Sequence, residues 1–169
     1  IEIVDLPGIY SLSPYTLEEV VSADFILKEK PDVVIDIVDA TNIERNLYLT
    51  TQLIETGVPV VIALNMTDLL HKNGISINNK KLSEILGCPV VDTSALRGTG
   101  LKELIQTARD TAKKAARGDR QAVYDKQIFS EDTEKLISGI RAELPAGIPE
   151  EEKRWYSVKL LEQDGRVLK

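Results

Sequence analysis

Two runs of apolar, largely β-branched residues, 33–38 and 58–64, are interrupted only by Asp36 and Pro59. They are too short for helices of ordinary length and too continuous for half-exposed strands, so they read as strands covered on both faces. Residues 1–4 and 89–93 are shorter strand-like segments, which makes four predicted strands. Between them the apolar spacing lengthens to that of helices. Thr16 and Glu19 have the spacing of a capping box and open a helix to about residue 29, ahead of Pro31. Thr41 and Glu44 repeat that spacing and open a helix that stops before Gly57. Residues 80–86 form a short helix closed by Gly87, and 101–117 a long one closed by Gly118. Strands alternating with helices predict an α/β fold with a doubly wound, mostly parallel sheet. Ligands of such sheets bind beyond the carboxyl ends of the strands, so the loops after residues 4, 38, 64 and 93 form the predicted working edge.

After Gly118 the pattern becomes helical only. Ser130 caps a helix to about residue 144, with Leu136, Ile137, Ile140 and Leu144 at helical spacing, and 150–162 forms another after Pro149. Asp164-Gly165 then interrupts the pattern. The predicted division is a nucleotide-type α/β body over 1–118 and a small helical subdomain over 119–169, with Trp155 as the anchor of the latter.

Composition narrows the function. A chain of 169 residues with 43% hydrophobic and 28% charged residues can bury a core of its own. Neither apolar run approaches the ~18 residues of a membrane span. A net charge of -6, from 21 Lys plus Arg against 27 Asp plus Glu, disfavours nucleic acid as a partner. One Cys and one His exclude an internal disulfide and a zinc-type cluster. Cys88 reads as a small buried residue and His71 as an exposed loop residue. Asp36, inside a buried run, needs a hydrogen-bond or charge partner. Because the chain opens on Ile1 in strand-like sequence, it reads as a fragment.

Three short motifs fall on the working edge. Asp5-Leu6-Pro7-Gly8 follows the first predicted strand. A carboxylate there can hold Mg2+ through water, and a glycine lets its N–H approach a terminal phosphate closely. Asn65-Met66-Thr67-Asp68 follows the strand 58–64. A carboxylate at Asp68 accepts both the ring N–H and the amino N–H of guanine, whereas adenine presents the wrong pattern. Asn65 would brace the loop and reach the base's other edge. Thr93-Ser94-Ala95 follows the last strand, where a backbone N–H can meet the guanine carbonyl. Each motif alone also fits an ordinary turn or helix cap. Their order at the ends of successive parallel strands is what independent turns rarely achieve.

That order resembles the translation-factor-like GTPases. More narrowly, Asp5-Leu-Pro-Gly-Ile-Tyr-Ser-Leu-Ser-Pro14, Asp39-Ala-Thr-Asn-Ile-Glu-Arg-Asn-Leu-Tyr48, Ala63-Leu-Asn-Met-Thr-Asp68 and Thr93-Ser-Ala95 resemble the cytoplasmic domain of the ferrous-iron transport protein B family. Arg154-Trp-Tyr-Ser-Val-Lys-Leu-Leu-Glu162 is similar to that family's helical regulatory segment. The resemblance implies a P-loop GTPase fold, N-terminally incomplete because the phosphate loop and first switch precede Ile1. It further implies GTP or GDP and Mg2+ as ligands and a membrane permease region in the same full protein. The implied location is the cytoplasmic face of the inner membrane, with a homo-oligomer left open. Asp5 and Gly8 then belong to the second switch, with Asp5 facing the Mg2+. Asn65, Met66 and Asp68 read the base, Ser94 and Ala95 support it, and stacking at Met66 is apolar. Ile9 stands where many GTPases carry the Gln that orients water, so hydrolysis must use other groups.

Two rivals stay open on the sequence. One is a GTPase acting on ribosomal or transfer RNA, against which the acidic balance counts. The other is a nucleotide-free interaction module, since the chain lacks the loop and Lys that hold phosphates.

Overall fold

The structure is a computed structural model and describes residues 2–12, 16–117 and 129–164. Thr16 caps the first helix as its spacing predicts: its hydroxyl accepts the Glu19 N–H at 3.2 Å, and the Glu19 carboxylate accepts the Thr16 N–H at 3.1 Å. Helix α1 (Leu17–Asp24) runs on as a π-helical turn (Phe25–Glu29) and closes at Lys30, just before Pro31. Strand β1 (Val34–Asp39) leads through a short 3-10 turn (Ala40–Asn42) into α2 (Ile43–Glu55). Then come β2 (Val60–Asn65), α3 (Thr67–Lys72), α4 (Asn79–Leu86), β3 (Val90–Thr93) and α5 (Leu101–Ala116). Gly87 closes α4 at φ 77°, in the left-handed region that a glycine tolerates.

The sheet has the order β1-β2-β3, all parallel. Asp39 lies level with Asn65, and Asn65 with Thr93, so the carboxyl ends of all three strands share one edge. On one face Val38, Val60, Ile62 and Leu64 pack against Ile26, Leu53, Ile54 and Leu86 of the flanking helices. On the other face Val61, Ala63 and Val91 pack against Leu104 of α5. Helices on both faces explain why β2 is apolar throughout: every position from Val60 to Leu64 is buried.

The α/β part departs from the sequence reading in four places. Residues 2–9 form no strand, and among the described residues three strands replace the expected four. A strand exists only where a neighbour completes its ladder, and among the described residues β1 pairs with β2 alone. The Thr41–Glu44 capping box does not form. The Asp39 carboxylate accepts the Thr41 N–H at 2.8 Å and its hydroxyl at 2.7 Å, so a 3-10 turn forms first and α2 starts at Ile43. The run 33–38 is not buried throughout: Asp36 and Val38 face the core, while Ile35 and Ile37 are 38% and 68% exposed. Strand β1 is at the sheet's edge, beyond the cover of α5, so on that face its side chains meet solvent. Finally, His71 lies on α3 rather than in a loop, and is exposed.

Ser130 caps α6 (Glu131–Glu143), its hydroxyl accepting the Thr133 N–H, and α7 (Glu150–Leu161) follows Pro149. Of the four apolar residues expected to form the buried stripe of α6, Ile137 is buried but Leu136 is 58% exposed. Helix α7 packs on α6 and reaches α2. Trp155 is 9% exposed, as an anchor should be, and Cys88 is buried. The expected helix stop at Gly118, the turn at Gly165 and the strand residue Ile1 lie outside the described residues.

Candidate functional site

Two loops at the shared edge make the site. Strand β2 ends at Asn65, and Met66 then takes the left-handed region, φ 63° and ψ 21°, which turns the chain sharply into α3. That turn puts Asp68 in the first helical turn with its side chain 20% exposed, and leaves Met66 42% exposed. Strand β3 ends at Thr93, and Ser94 and Thr99 then exchange backbone hydrogen bonds at 3.2 and 3.3 Å. The loop 94–99 is therefore closed on itself, with the Arg97 N–H donating to the Ser94 carbonyl at 3.2 Å. Gly100 leaves it at φ 79°, where a Cβ would lie 2.0 Å from the Asp92 carbonyl oxygen. No other residue fits that exit.

The two loops are joined twice. The Asn65 carboxamide oxygen accepts the Ala95 N–H at 3.1 Å, which is the brace expected of Asn65. The N–H that the sequence reading offered to the guanine carbonyl therefore donates to Asn65 here. The second tie is an ion pair, Arg97 Nε to Asp68 Oδ2 at 3.3 Å. Asn65, Met66, Asp68, Ser94 and Ala95 thus stand on two adjoining loops of one edge.

Asp5 and Gly8 lie on a different segment, before α1. Both are exposed, and a Cβ on Gly8 would meet nothing within 4 Å, so packing does not demand a glycine there. The segment that carries them lies along α1 and α2. Leu6 and Ile9 are partly buried against the core. The Ser22 hydroxyl donates to the Pro7 carbonyl at 3.5 Å, the Leu12 N–H donates to Gln52 Oε1 at 2.6 Å, and the Arg45 guanidinium covers the Tyr10 ring at 4.0 Å. Ile9 packs rather than facing solvent, in line with its inability to hold water.

Sequence reasoning missed two edge residues. Asp39 ends β1 level with Asn65, and the Thr41 hydroxyl, followed by the Asn42 side chain and backbone N–H groups, holds its carboxyl below the usual carboxylate range. Its position after an apolar run was the available signal. Arg97 had none, because its partner Asp68 is on another loop. Asp36, by contrast, has a structural partner in the Thr50 hydroxyl at 2.5 Å, and burial pushes its pKa up despite that bond.

Comparison with known proteins decides the family. The family described as ferrous iron transport protein B matches residues 1–108, and the family described as FeoB cytosolic helical domain matches 129–169. This chain belongs to the ferrous iron transport protein B family. The Fe(2+) transporter FeoB of Escherichia coli (strain K12) is 39% identical over 168 residues, which cover 97% of this chain and 21% of that protein. The chain therefore spans about a fifth of the length of the transporter it matches. The mGMPPNP-bound NFeoB of S. thermophilus superposes with a TM-score of 0.85 at 48% identity, covering 97% of this chain and 60% of the other. A variant of that NFeoB bound to GDP.AlF4- gives 0.85 at 47% identity, covering 97% and 61%. The fold is accordingly the doubly wound, parallel sheet of the P-loop GTPase type, followed by a FeoB helical region. No helix among the described residues is long and apolar enough to cross a membrane.

Proposed function

We propose that this FeoB-family chain is the base-reading and second-switch part of a GTP-binding, GTP-hydrolysing regulatory domain serving a ferrous-iron transporter. The observation that carries this reading is the bond from Ala95 to Asn65 with Asp68 one helical turn away, because it joins the two loops that guanine would bridge. The carboxylate of Asp68 accepts the ring N–H and amino N–H of guanine, and Met66 offers an exposed apolar side chain beside the base. Such a site rejects adenine as well as attracting guanine, since an unmatched buried acceptor costs about 1–3 kcal/mol.

Gly8 reads the terminal phosphate through its N–H; its side of the backbone is open, which leaves close approach as the reason for a glycine. Asp5 is exposed and makes no ion pair among the described residues, and a single carboxylate suits Mg2+, which keeps most of its waters. Asp5 would hold that ion through water, and the ion would neutralise phosphate charge. The phosphate cradle itself comes from an upstream loop. In the full protein the permease region is the partner, and the domain sits on the cytoplasmic face of the inner membrane. The acidic net charge supports this over an RNA-directed GTPase.

Competition for labelled GDP, using the chain joined to the family's upstream phosphate loop, tests the reading. IDP lacks the amino group that gives Asp68 its second donor and should bind about tenfold more weakly than GDP, with ADP weaker still. Equal binding of GDP, IDP and ADP would sink the base reading, and no binding of any of them would favour the nucleotide-free interaction module.

A further inference from the structure

The structure assigns to Arg97 a role that the motifs do not: it is a positioning residue that holds the base-reading carboxylate of Asp68 to the loop carrying Ala95. The inference rests on the reading of Asp68 as the guanine acceptor. Asp68 stands on α3, a helix of six residues whose N-terminal cap position, Met66, supplies no side-chain hydrogen bond. A carboxylate on so short an element has several rotamers open to it, and a partner is needed to select one. Among the described residues Arg97 is its one charged partner, with Nε 3.3 Å from Oδ2.

Arg97 is itself fixed at the backbone. Its N–H donates to Ser94 at 3.2 Å inside the loop that Ser94 and Thr99 close. The guanidinium therefore reaches Asp68 from an anchored base, and it comes from the same loop whose Ala95 is tied to Asn65 at 3.1 Å. The two base-reading loops are stitched at both ends, once through Asn65 and once through Asp68. A carboxylate has about four lone-pair positions over its two oxygens, and guanine takes one on each. Arg97 Nε approaches Oδ2 at 3.3 Å and takes one of these positions, so ion pair and base recognition are compatible. The benefit is preorganisation: the acceptor is already aimed when the base arrives, and less ordering is left to binding.

Arg97 is 55% exposed and its ion pair is not buried, so its removal leaves the fold intact. The test measures GDP and XDP binding in the protein carrying its upstream phosphate loop, for Arg97→Ala and Arg97→Lys, each with Asp68 and with Asp68→Asn. Arg97→Ala should weaken GDP binding about two- to fivefold, the scale of an exposed pair. Arg97→Lys should retain most of the affinity, and the difference should fade as ionic strength rises. In the Asp68→Asn background Arg97→Ala should have no effect. GDP bound by Arg97→Ala as tightly as by the unaltered protein, or more tightly, overturns the inference. So does an equal loss in the Asp68→Asn background, which would show that Arg97 acts on its loop alone. Failure of Asp68→Asn to prefer XDP would instead defeat the base-reading assignment itself, which separates the two failures.

Discussion

Replacing Arg154 by Met keeps much of the side chain's volume and removes the guanidinium that joins α7 to both α2 and α6. Arg154 forms two forks: Nε and Nη2 donate to Glu55 at 2.6 and 3.2 Å, and Nη1 and Nη2 donate to Glu134 at 2.8 and 2.9 Å. The three side chains are 15%, 4% and 8% exposed, so solvent screens the network little. Removing the cation strands two carboxylates in a nearly dry interface. Breaking a buried pair from one side costs about 3–5 kcal/mol, because the charge left behind loses its counter-ion where water cannot replace it. For a chain of this size that lowers the melting temperature by roughly 6–20 °C. The loss also depends on pH. Burial raises the pKa of Glu55, and Arg154 opposes that rise through its hydrogen bonds and charge. A carboxyl whose folded pKa lies above its unfolded value destabilises the fold when ionised, so its cost is present above the folded pKa and relieved as pH falls through it. Without Arg154 the pKa of Glu55 rises further. The deficit of Arg154→Met should therefore shrink between neutral pH and about pH 5, near the ordinary carboxyl range. Urea unfolding at both pH values measures it. The triple variant Arg154→Met, Glu55→Gln, Glu134→Gln should recover most of the loss, since no charge is then stranded. A deficit of Arg154→Met below about 1 kcal/mol that does not change with pH would refute the reasoning, because it would place the network in the surface class.

Other consequences are independent of that interface. Gly100→Ala puts a Cβ 2.0 Å from the Asp92 carbonyl oxygen at φ 79°, and should cost about 2–4 kcal/mol in urea unfolding, combining overpacking with left-handed strain. Thr50→Val removes the hydroxyl donor of buried Asp36 and should cost about 1–3 kcal/mol, whereas Asp36→Asn keeps an acceptor, buries no charge and should not lower stability at neutral pH. On the proposed reading the 169-residue chain alone should release phosphate from GTP near background, because Asp5 and Gly8 would supply one side of the phosphates and no cradle. Mg2+-dependent turnover abolished by Asp5→Ala would contradict that.

The parts of the molecule that were legible in the sequence are those set by near neighbours along the chain. The Thr16–Glu19 box, the glycine stop at Gly87 and the cap at Ser130 each depend on residues within a turn, and all three formed. The Asn65–Asp68 and Ser94–Ala95 motifs could be placed on one edge because parallel strands bring their carboxyl ends together whatever the loops contain. What failed depends on partners in space. Residues 2–4 have strand-like composition, yet composition cannot supply the neighbouring ladder. The Thr41–Glu44 box lost to Asp39, which lies two residues before Thr41 and reaches its N–H first. The exposure of Ile35 and Ile37 follows from β1 being an edge strand, which residues 33–38 do not announce. Arg97 and Arg154 were silent for the same reason: one meets a carboxylate 29 residues earlier and the other one 99 residues earlier, and an arginine at either position also suits a solvated surface.

The central claim is that Asp68 reads the base, and exchanging one acceptor for a donor tests it directly. Asp68→Asn, in the protein carrying its upstream phosphate loop, should lose affinity for GDP and gain it for XDP, because xanthine offers a carbonyl where guanine offers its amino group. Competition against labelled nucleotide should show the preference crossing from GDP to XDP, with ADP excluded by both forms. If GDP stays preferred and XDP binds no better than before, Asp68 does not face the base, and the assignment of the loops at residues 65–68 and 94–95 to guanine is wrong.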